Sequence, residues 1–302
     1  MGDLVLVVGQ LFNGFSVASL YLLAALGLAL SFGLMRVINM AHGEMLMLGG
    51  YLAWITMSLI PGPLALLVAL PVAFFGTALV GGVLQVGLIN RLSARPLDTL
   101  LATWGVSLIL QQAARSLFGP IGVEVAAPAW LDHSLTVATG PLAGLTVPVT
   151  RLFILGFAAV ILGALALLFA RTRIGLLVRA VNQDRMMAGA TGIDVKRIDL
   201  VVFCLGTGIG GLAGVMLALL GPVTPTVGQS YIVPAFLVVV LGGLGSITGT
   251  AIAALLLGLF SALVQIEVDV SVSQVLLLLF VVLFIQFRPQ GVVATRSRAL
   301  DE

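Results

Sequence analysis

The residues of this chain best suited to chemistry are Asn39, His42 and Glu44, set in an otherwise apolar run from Val37 to Ile60. Ionisable side chains at bilayer depth are costly, so they turn toward a bundle interior or a wet cavity. A helix continued from Arg36 carries Glu44 about 12 Å further in, near the membrane midplane. On a regular helix Asn39 and His42 share a face while Glu44 points away. Gly43 is therefore read as a break that lets all three approach one cavity. Two readings of this group stand. In one it lines a solute pathway, Glu44 and Asn39 offering hydrogen-bond acceptors. In the other Glu44 pairs with a polar group on a neighbouring helix, and His42 bonds a carbonyl.

A second candidate is the glycine turn Gly242-Gly243-Leu244-Gly245-Ser246-Ile247-Thr248-Gly249. Glycine-interrupted apolar segments, one in each half of a chain, point to unwound backbone that exposes polar groups to a solute. The Asn39 to Glu44 run and this turn form such a pair, with Gly242, Gly243, Gly245 and Ser246 as its pathway residues. Close helix packing on small residues explains glycine runs equally well, and for Gly206, Gly208, Gly210, Gly211 and Gly214 it is the preferred reading. A third candidate is the basic segment from Arg171 to Asp199, with a helix-compatible centre at Leu176 to Ala190 and a stop at Gly192. It is too long for a turn. It suits docking to a partner or a solvated loop that enforces topology.

The elements that must hold these groups follow from composition. Hydrophobic residues make up 60% of the 302, charged residues only 9%, and mean hydropathy is +1.22. Such a chain is no soluble domain, and neither disorder nor nucleic-acid binding has compositional support. A crossing helix needs about 20 apolar residues. Runs of that kind extend from Leu4 to Ser31, Val37 to Ile60, Leu64 to Asn90, Thr99 to Phe118, Leu152 to Ala170, Leu200 to Leu220 and Ser273 to Phe287. The stretch from Tyr231 to Gln265 is too long for one. The fold expected is an all-α polytopic bundle of eight or nine segments in one domain, 1–302. Basic residues mark the cytoplasmic side: Arg91 and Arg95, then Arg171, Arg173, Arg179, Arg185, Lys196 and Arg197, then Arg288, Arg296 and Arg298. The loops Pro61 to Pro63, Gly119 to Pro148 and Ile266 to Val272 carry none and face outward. This places the N-terminus outside and the C-terminus inside. It also requires Tyr231 to Gln265 to enter and return, as two short spans or a re-entrant hairpin turning at Gly242 to Gly249. Asp3 stands where a signal peptide has a basic start, so the first run reads as a retained span. Cys204 is the only cysteine and makes no intrachain disulfide.

Missing motifs narrow the chemistry. There is no phosphate loop, and Lys196 is the only lysine, so ATP is not bound by that route. His-Glu-x-x-His is missing too, which speaks against an intramembrane metalloprotease.

Ile38-Asn39-Met40-Ala41-His42-Gly43-Glu44 resembles the signature of permeases of branched-chain amino acid type ATP-binding-cassette importers. Arg179-Ala180-Val181-Asn182-Gln183-Asp184-Arg185-Met186-Met187-Ala188, running on to Gly192-Ile193-Asp194, is similar to their cytoplasmic coupling segment, and Phe287-Arg288-Pro289-Gln290-Gly291 matches their tail. The resemblance covers nearly the whole chain. It implies a translocation subunit of the bacterial inner membrane with no cofactor of its own. It further implies a second permease of similar fold, two cytoplasmic ATPases that hold ATP and Mg, and an extracytoplasmic binding protein. Residues 171–199 become the coupling loop, with Arg179, Asp184, Arg185, Ala188, Gly189, Gly192, Ile193 and Asp194 meeting the ATPase. Within the family, Leu101 to Leu110, Val123 to Ala126, Gly228 to Val233 and Phe236 to Gly243 are more similar to the urea-type permease, whereas Pro234, Ala235 and Ser246 depart from it. Urea, neutral and rich in N–H donors, is the substrate expected on that basis. A branched-chain amino acid is the alternative, and a stand-alone solute channel the reading from another class.

Overall fold

Lipid offers the backbone no hydrogen-bond partner, so apolar runs of this length close their bonds within themselves as helices. The computed structural model describes residues 2–35, 37–92, 95–136 and 144–293. Arg36, Arg296 and Arg298 lie outside the described residues, as do 137–143 of the loop before the helix that starts at Val149. The chain runs α1 (Gly2–Met35), α2 (His42–Leu59), α3 (Ala65–Leu84), a π-helical turn (Gln85–Ile89), α4 (Asn90–Leu92) and α5 (Pro96–Phe118). It continues as α6 (Val149–Arg171), α7 (Arg173–Gln183), α8 (Arg185–Ala190), α9 (Val195–Ala218), α10 (Val227–Gly242), α11 (Ile247–Val264) and α12 (Val270–Phe287). Before α6, Ser134–Thr136 and Thr146–Pro148 pair as a small antiparallel hairpin, β1 and β2.

Six described helices are long and apolar enough to cross a membrane, and Val227–Gly242 is a shorter apolar one. This is the all-α polytopic membrane protein its composition requires. The stretch from Tyr231 to Gln265 does enter and return: α10 and α11 meet at Gly243 to Ser246, where Gly243 and Gly245 take φ of +97° and +80°. Arg91, Arg95, Arg288 and the bases of α7 to α9 gather on one side of the bundle. Arg115 and Arg151 sit at helix ends on the other.

The packing has a plan that the apolar pattern alone does not show. After α1 the chain turns back as the non-helical stub 37–41 and restarts as α2 well inside the bundle, where the His42 ring Nε2 lies 3.3 Å from the Ala24 carbonyl of α1. After α9, which runs in the opposite sense, the chain turns back through 219–226 and restarts as α10. The two restarts abut: a Cβ on Gly43 would come within 2.6 Å of the Gly228 carbonyl oxygen, and a Cβ on Gly228 within 3.0 Å of the Glu44 nitrogen. α1 packs antiparallel on α11, as Gly14 on Leu259 and Ala18 on Gly258, while α9 packs antiparallel on α3, as Thr207 on Gly81 and Phe74 on Gly208. Exchanging α1, α2, α3 and α5 with α9, α10, α11 and α12 therefore preserves the arrangement. These eight helices form two halves of like design and opposite direction, the plan of inverted repeats, with α6, α7 and α8 outside the exchange.

Glycine makes this closeness attainable. A Cβ on Gly49 would lie 2.6 Å from the Gly211 Cα, and one on Gly206 2.6 Å from the Gly27 carbonyl oxygen. The glycines of α9 are thus packing surface, as the small-residue reading holds.

Candidate functional site

The break in the first half spans 37–41, and α2 is regular from His42 onward. This corrects the expectation of a helix from Arg36 interrupted at Gly43. Asn39 makes the turn: its Oδ1 accepts from the Ala41 N–H at 3.0 Å, and its carbonyl from His42 N–H at 3.2 Å. Because α2 is regular, His42 and Glu44 stand about 200° apart around it. His42 faces α1 and Gly210 of α9, whereas Glu44 faces α5. The three polar residues therefore do not converge on one cavity.

Glu44 is 1% exposed in the first turn of α2, where the helix dipole favours a negative charge. Its Oε1 accepts from Ser107 Oγ at 2.8 Å and from Gln111 Nε2 at 2.7 Å. Gln111 Nε2 also donates to Ser107 Oγ at 3.1 Å, and Gln111 Oε1 faces Gln229 Nε2 at 3.4 Å. One turn before Ser107 on α5, Thr103 Oγ1 accepts from the Met40 N–H at 3.2 Å. Asn39 Nδ2, His42 Nδ1 and Glu44 Oε2 are buried with no hydrogen-bond partner.

None of Thr103, Ser107, Gln111 or Gln229 emerges as a site residue from the sequence reading. A signal was present nonetheless. Thr99, Thr103, Ser107 and Gln111 recur every fourth position of α5, one polar stripe along a helix, and with Ala114 they are the residues α5 buries. Its large side chains Leu97, Leu101, Trp104, Ile109 and Leu117 all point outward. Polar contacts thus hold the first three turns of the helix and its middle, while Ala114, Leu110 and the Phe118 ring stacked on Tyr51 at 4.2 Å pack its far end. Replacing Glu44 by alanine should leave Ser107 and Gln111 without their acceptor, at about 1–3 kcal/mol for each buried group. The purified protein is expected to melt several degrees lower, and Glu44→Gln, which keeps an acceptor oxygen, to recover much of the loss.

The glycine turn lies elsewhere. Gly33, near the basic end of α1, packs on Gly245, and Gly243 packs on Gln290 and Val293. Ser246 caps α11, its Oγ accepting from the Gly249 N–H at 3.0 Å. The segment after α12 clasps the turn: Val292 N–H donates to the Leu241 carbonyl at 2.8 Å and Val293 N–H to that of Gly242 at 3.3 Å. Gly242, Gly243, Gly245 and Ser246 therefore stand at the basic edge, and the partner of the Asn39 to Glu44 restart is the restart at Gly228. Beside the turn, Gly33, Phe169, Arg179, Asn182, Gly245 and Thr248 border a cleft of about 370 Å³.

The segment between α6 and α9 is folded. Its helix-compatible centre divides at Asp184, which ends α7 and caps α8, Oδ1 accepting from the Met187 N–H at 2.9 Å. Gly192, at φ +88°, ends α8, and Asp194 caps α9 by accepting from the Arg197 N–H at 3.1 Å. Arg179 is tied to the Phe169 carbonyl, and Arg185 pairs with the buried Asp199 at 2.5 Å. Ala188 is buried and Ile193 half-buried, whereas Met186, Met187, Gly189, Thr191 and Gly192 stand exposed.

The family model described as branched-chain amino acid transport system / permease component matches residues 10–285. The chain belongs to this permease family. Among its relatives, the high-affinity branched-chain amino acid transport system permease protein BraD of Pseudomonas aeruginosa is 29% identical, covering 94% of each chain. The corresponding LivH of Escherichia coli K12 is 28% identical, again over 94% of each. The probable branched-chain amino acid transport permease protein LivH of Methanocaldococcus jannaschii is 29% identical over 82% of this chain and 78% of its own. No solved structure matches. As a permease component of an ATP-binding-cassette system the chain is a translocation subunit, not an enzyme. ATP and Mg²⁺ belong to an ATPase partner, and such systems imply a binding-protein partner as well. No group of three or more potential metal ligands occurs among the described residues.

Proposed function

We propose that this permease carries branched-chain amino acids inward across a bacterial inner membrane, in a complex with a second permease, two ATPases and an extracytoplasmic binding protein. The observation that carries the reading is likeness over nearly the full length to permeases named for that substrate. It favours the amino acid over urea, toward which the local motif likenesses lean. Electrostatics agrees, because an amino acid zwitterion needs both signs. Glu44 supplies a carboxylate close to where two helix N-termini, those of α2 and α10, meet inside the bundle.

The basic side is assigned to the cytoplasm, with the N-terminus outside, by the positive-inside rule. On that side the exposed knob from Met186 to Gly192, held by the Asp184 and Asp194 caps, is the surface offered to an ATPase, within a permease domain spanning 1–302. Asp184 and Asp194 shape the knob, Arg179 and Arg185 anchor it, and Gly189 and Gly192 with the flanking methionines form its face.

The substrate is tested by reconstituting the complex with its binding protein and measuring uptake. Leucine is expected to accumulate in an ATP-dependent manner and urea is not; the reverse overturns the reading. Orientation is tested with single cysteines at Ser134 and Thr191 in a Cys204→Ala background. An impermeant thiol reagent is expected to reach Ser134→Cys from outside and Thr191→Cys only from inside. Labelling of both from one side sinks the topology.

A further inference from the structure

We propose that Gln229 presents its side-chain carbonyl to the passing substrate, and that Glu44, acting through Gln111, holds it in that orientation to accept a hydrogen bond from the α-ammonium group of an amino acid. The ligand class rests on the amino acid reading above. The orientation of Gln229 does not.

Depth comes first. Gly228 abuts Gly43, and the adjoining His42 docks on Ala24 of α1, about 14 Å short of the helix's basic end near Gly33. The first residues of α10 are therefore inside the span, yet Thr226, Gln229 and Ser230 are exposed there. Polar groups and irregular backbone at such depth are not left against hydrocarbon, so this face meets water or protein. It is the exposed end of the polar chain that starts at Glu44.

Direction comes second. Glu44 Oε1 only accepts, and it takes hydrogen bonds from Ser107 Oγ at 2.8 Å and Gln111 Nε2 at 2.7 Å. The second amide hydrogen of Gln111 goes to Ser107 Oγ at 3.1 Å. Both donors of Gln111 are then used, which leaves its Oε1 toward Gln229 and requires a donor there; Gln229 Nε2 sits at 3.4 Å. With its nitrogen turned inward, Gln229 turns its carbonyl oxygen outward. A buried carboxylate thus fixes an exposed acceptor two residues away in the chain of bonds. A glutamine at position 44 removes that constraint, because it can donate, Gln111 can flip, and Gln229 can flip with it. An acceptor of this kind suits an ammonium group, and the nearby start of α10 suits the carboxylate at the other end of a zwitterion.

The test uses the whole complex in proteoliposomes with saturating binding protein. Gln229→Leu keeps the size of this exposed side chain and removes its carbonyl, so leucine uptake should fall about tenfold, one hydrogen bond to a charged group. Glu44→Gln should lower uptake in the wild-type background and have no further effect beside Gln229→Leu. A merely structural Glu44 would lower uptake by the same factor in both backgrounds, and that outcome overturns the relay. In a Cys204→Ala background, Gln229→Cys should react with charged methanethiosulfonates in the assembled complex, more slowly once leucine-loaded binding protein and ATP are added. Failure to react places the residue against lipid and overturns the proposal. Should wild type carry urea and not leucine, the amino acid class falls, while labelling and non-additivity measured with urea still decide the role of Gln229.

Discussion

Replacing Gly211 by leucine is expected to leave almost no assembled permease in the membrane. Even the Cβ of alanine at this position would stand 2.7 Å from the Ala73 carbonyl oxygen and clash with the Thr77 hydroxyl, and the facing Gly49 is in backbone contact with the same point. Overpacking usually costs about 1–3 kcal/mol when side chains can shift aside. Here the obstacle includes backbone of two helices whose own bonds hold it in place, so relief requires separating α9 from α2 and α3. That is the centre of the bundle. Gly156 of α6 supplies the contrast, being exposed with nothing within 4 Å of a Cβ. Gly156→Leu should be tolerated, since leucine is a better helix former than glycine by roughly 0.8 kcal/mol. Detergent extraction followed by size-exclusion and thermal melting checks both. Equal yields of the two variants would show that the close approach at Gly211 is not essential.

The second large effect is expected at the other end of the molecule. Gly192→Glu should abolish leucine transport while the chain inserts and assembles. Gly192 is exposed at the end of α8, so substitution there disturbs no core. Its φ of +88° penalises any side chain by about 1–2 kcal/mol locally. Glutamate adds a negative charge to the exposed segment between Arg185 and Lys196, on the face offered to the ATPase. Loss of about 2 kcal/mol at a partner contact means roughly a thirtyfold weaker engagement. Gly192→Ala separates the two causes, carrying the backbone strain without the charge. It should retain most of the transport, and substrate-stimulated ATP hydrolysis should follow the same order. Unchanged transport in Gly192→Glu would return the segment to a solvated loop.

The spans were legible because lipid imposes length and apolarity together, and the spacing of the basic loops points to the turn in Gly242 to Gly249 at which α10 and α11 meet. The stub 37–41 was not legible. Its residues are as apolar as a helix requires; Asn39 Oδ1 on the Ala41 N–H and Thr103 Oγ1 on the Met40 N–H hold the turn, and the restart that follows it meets α10 about 185 residues later. The same distance hides the true partner of the first restart: a glycine-rich turn catches the eye at 242, whereas Gly228 is a lone glycine whose value lies in the backbone it meets. Ser107 and Gln111 were missed for another reason. A charge at bilayer depth stands out by its cost, whereas a stripe of hydroxyls and amides spaced by four carries no charge. The caps at Asp184 and Asp194 show that residues prominent in a motif also serve local folding.

The meeting of Gly43 and Gly228 also bears on how the chain is made. About 185 residues separate them, and at 5–20 residues per second the ribosome needs roughly 10–40 s to supply the second after the first. Throughout that interval α2 begins at an unwound backbone whose opposite number does not exist. The first half therefore cannot reach its final state when its own helices have entered the bilayer: Glu44 has Ser107 and Gln111 of α5 by then, but Gly43 still lacks the surface it meets. That lag follows from chain length alone, and factors that shelter polar groups beside the insertion machinery should matter most during it.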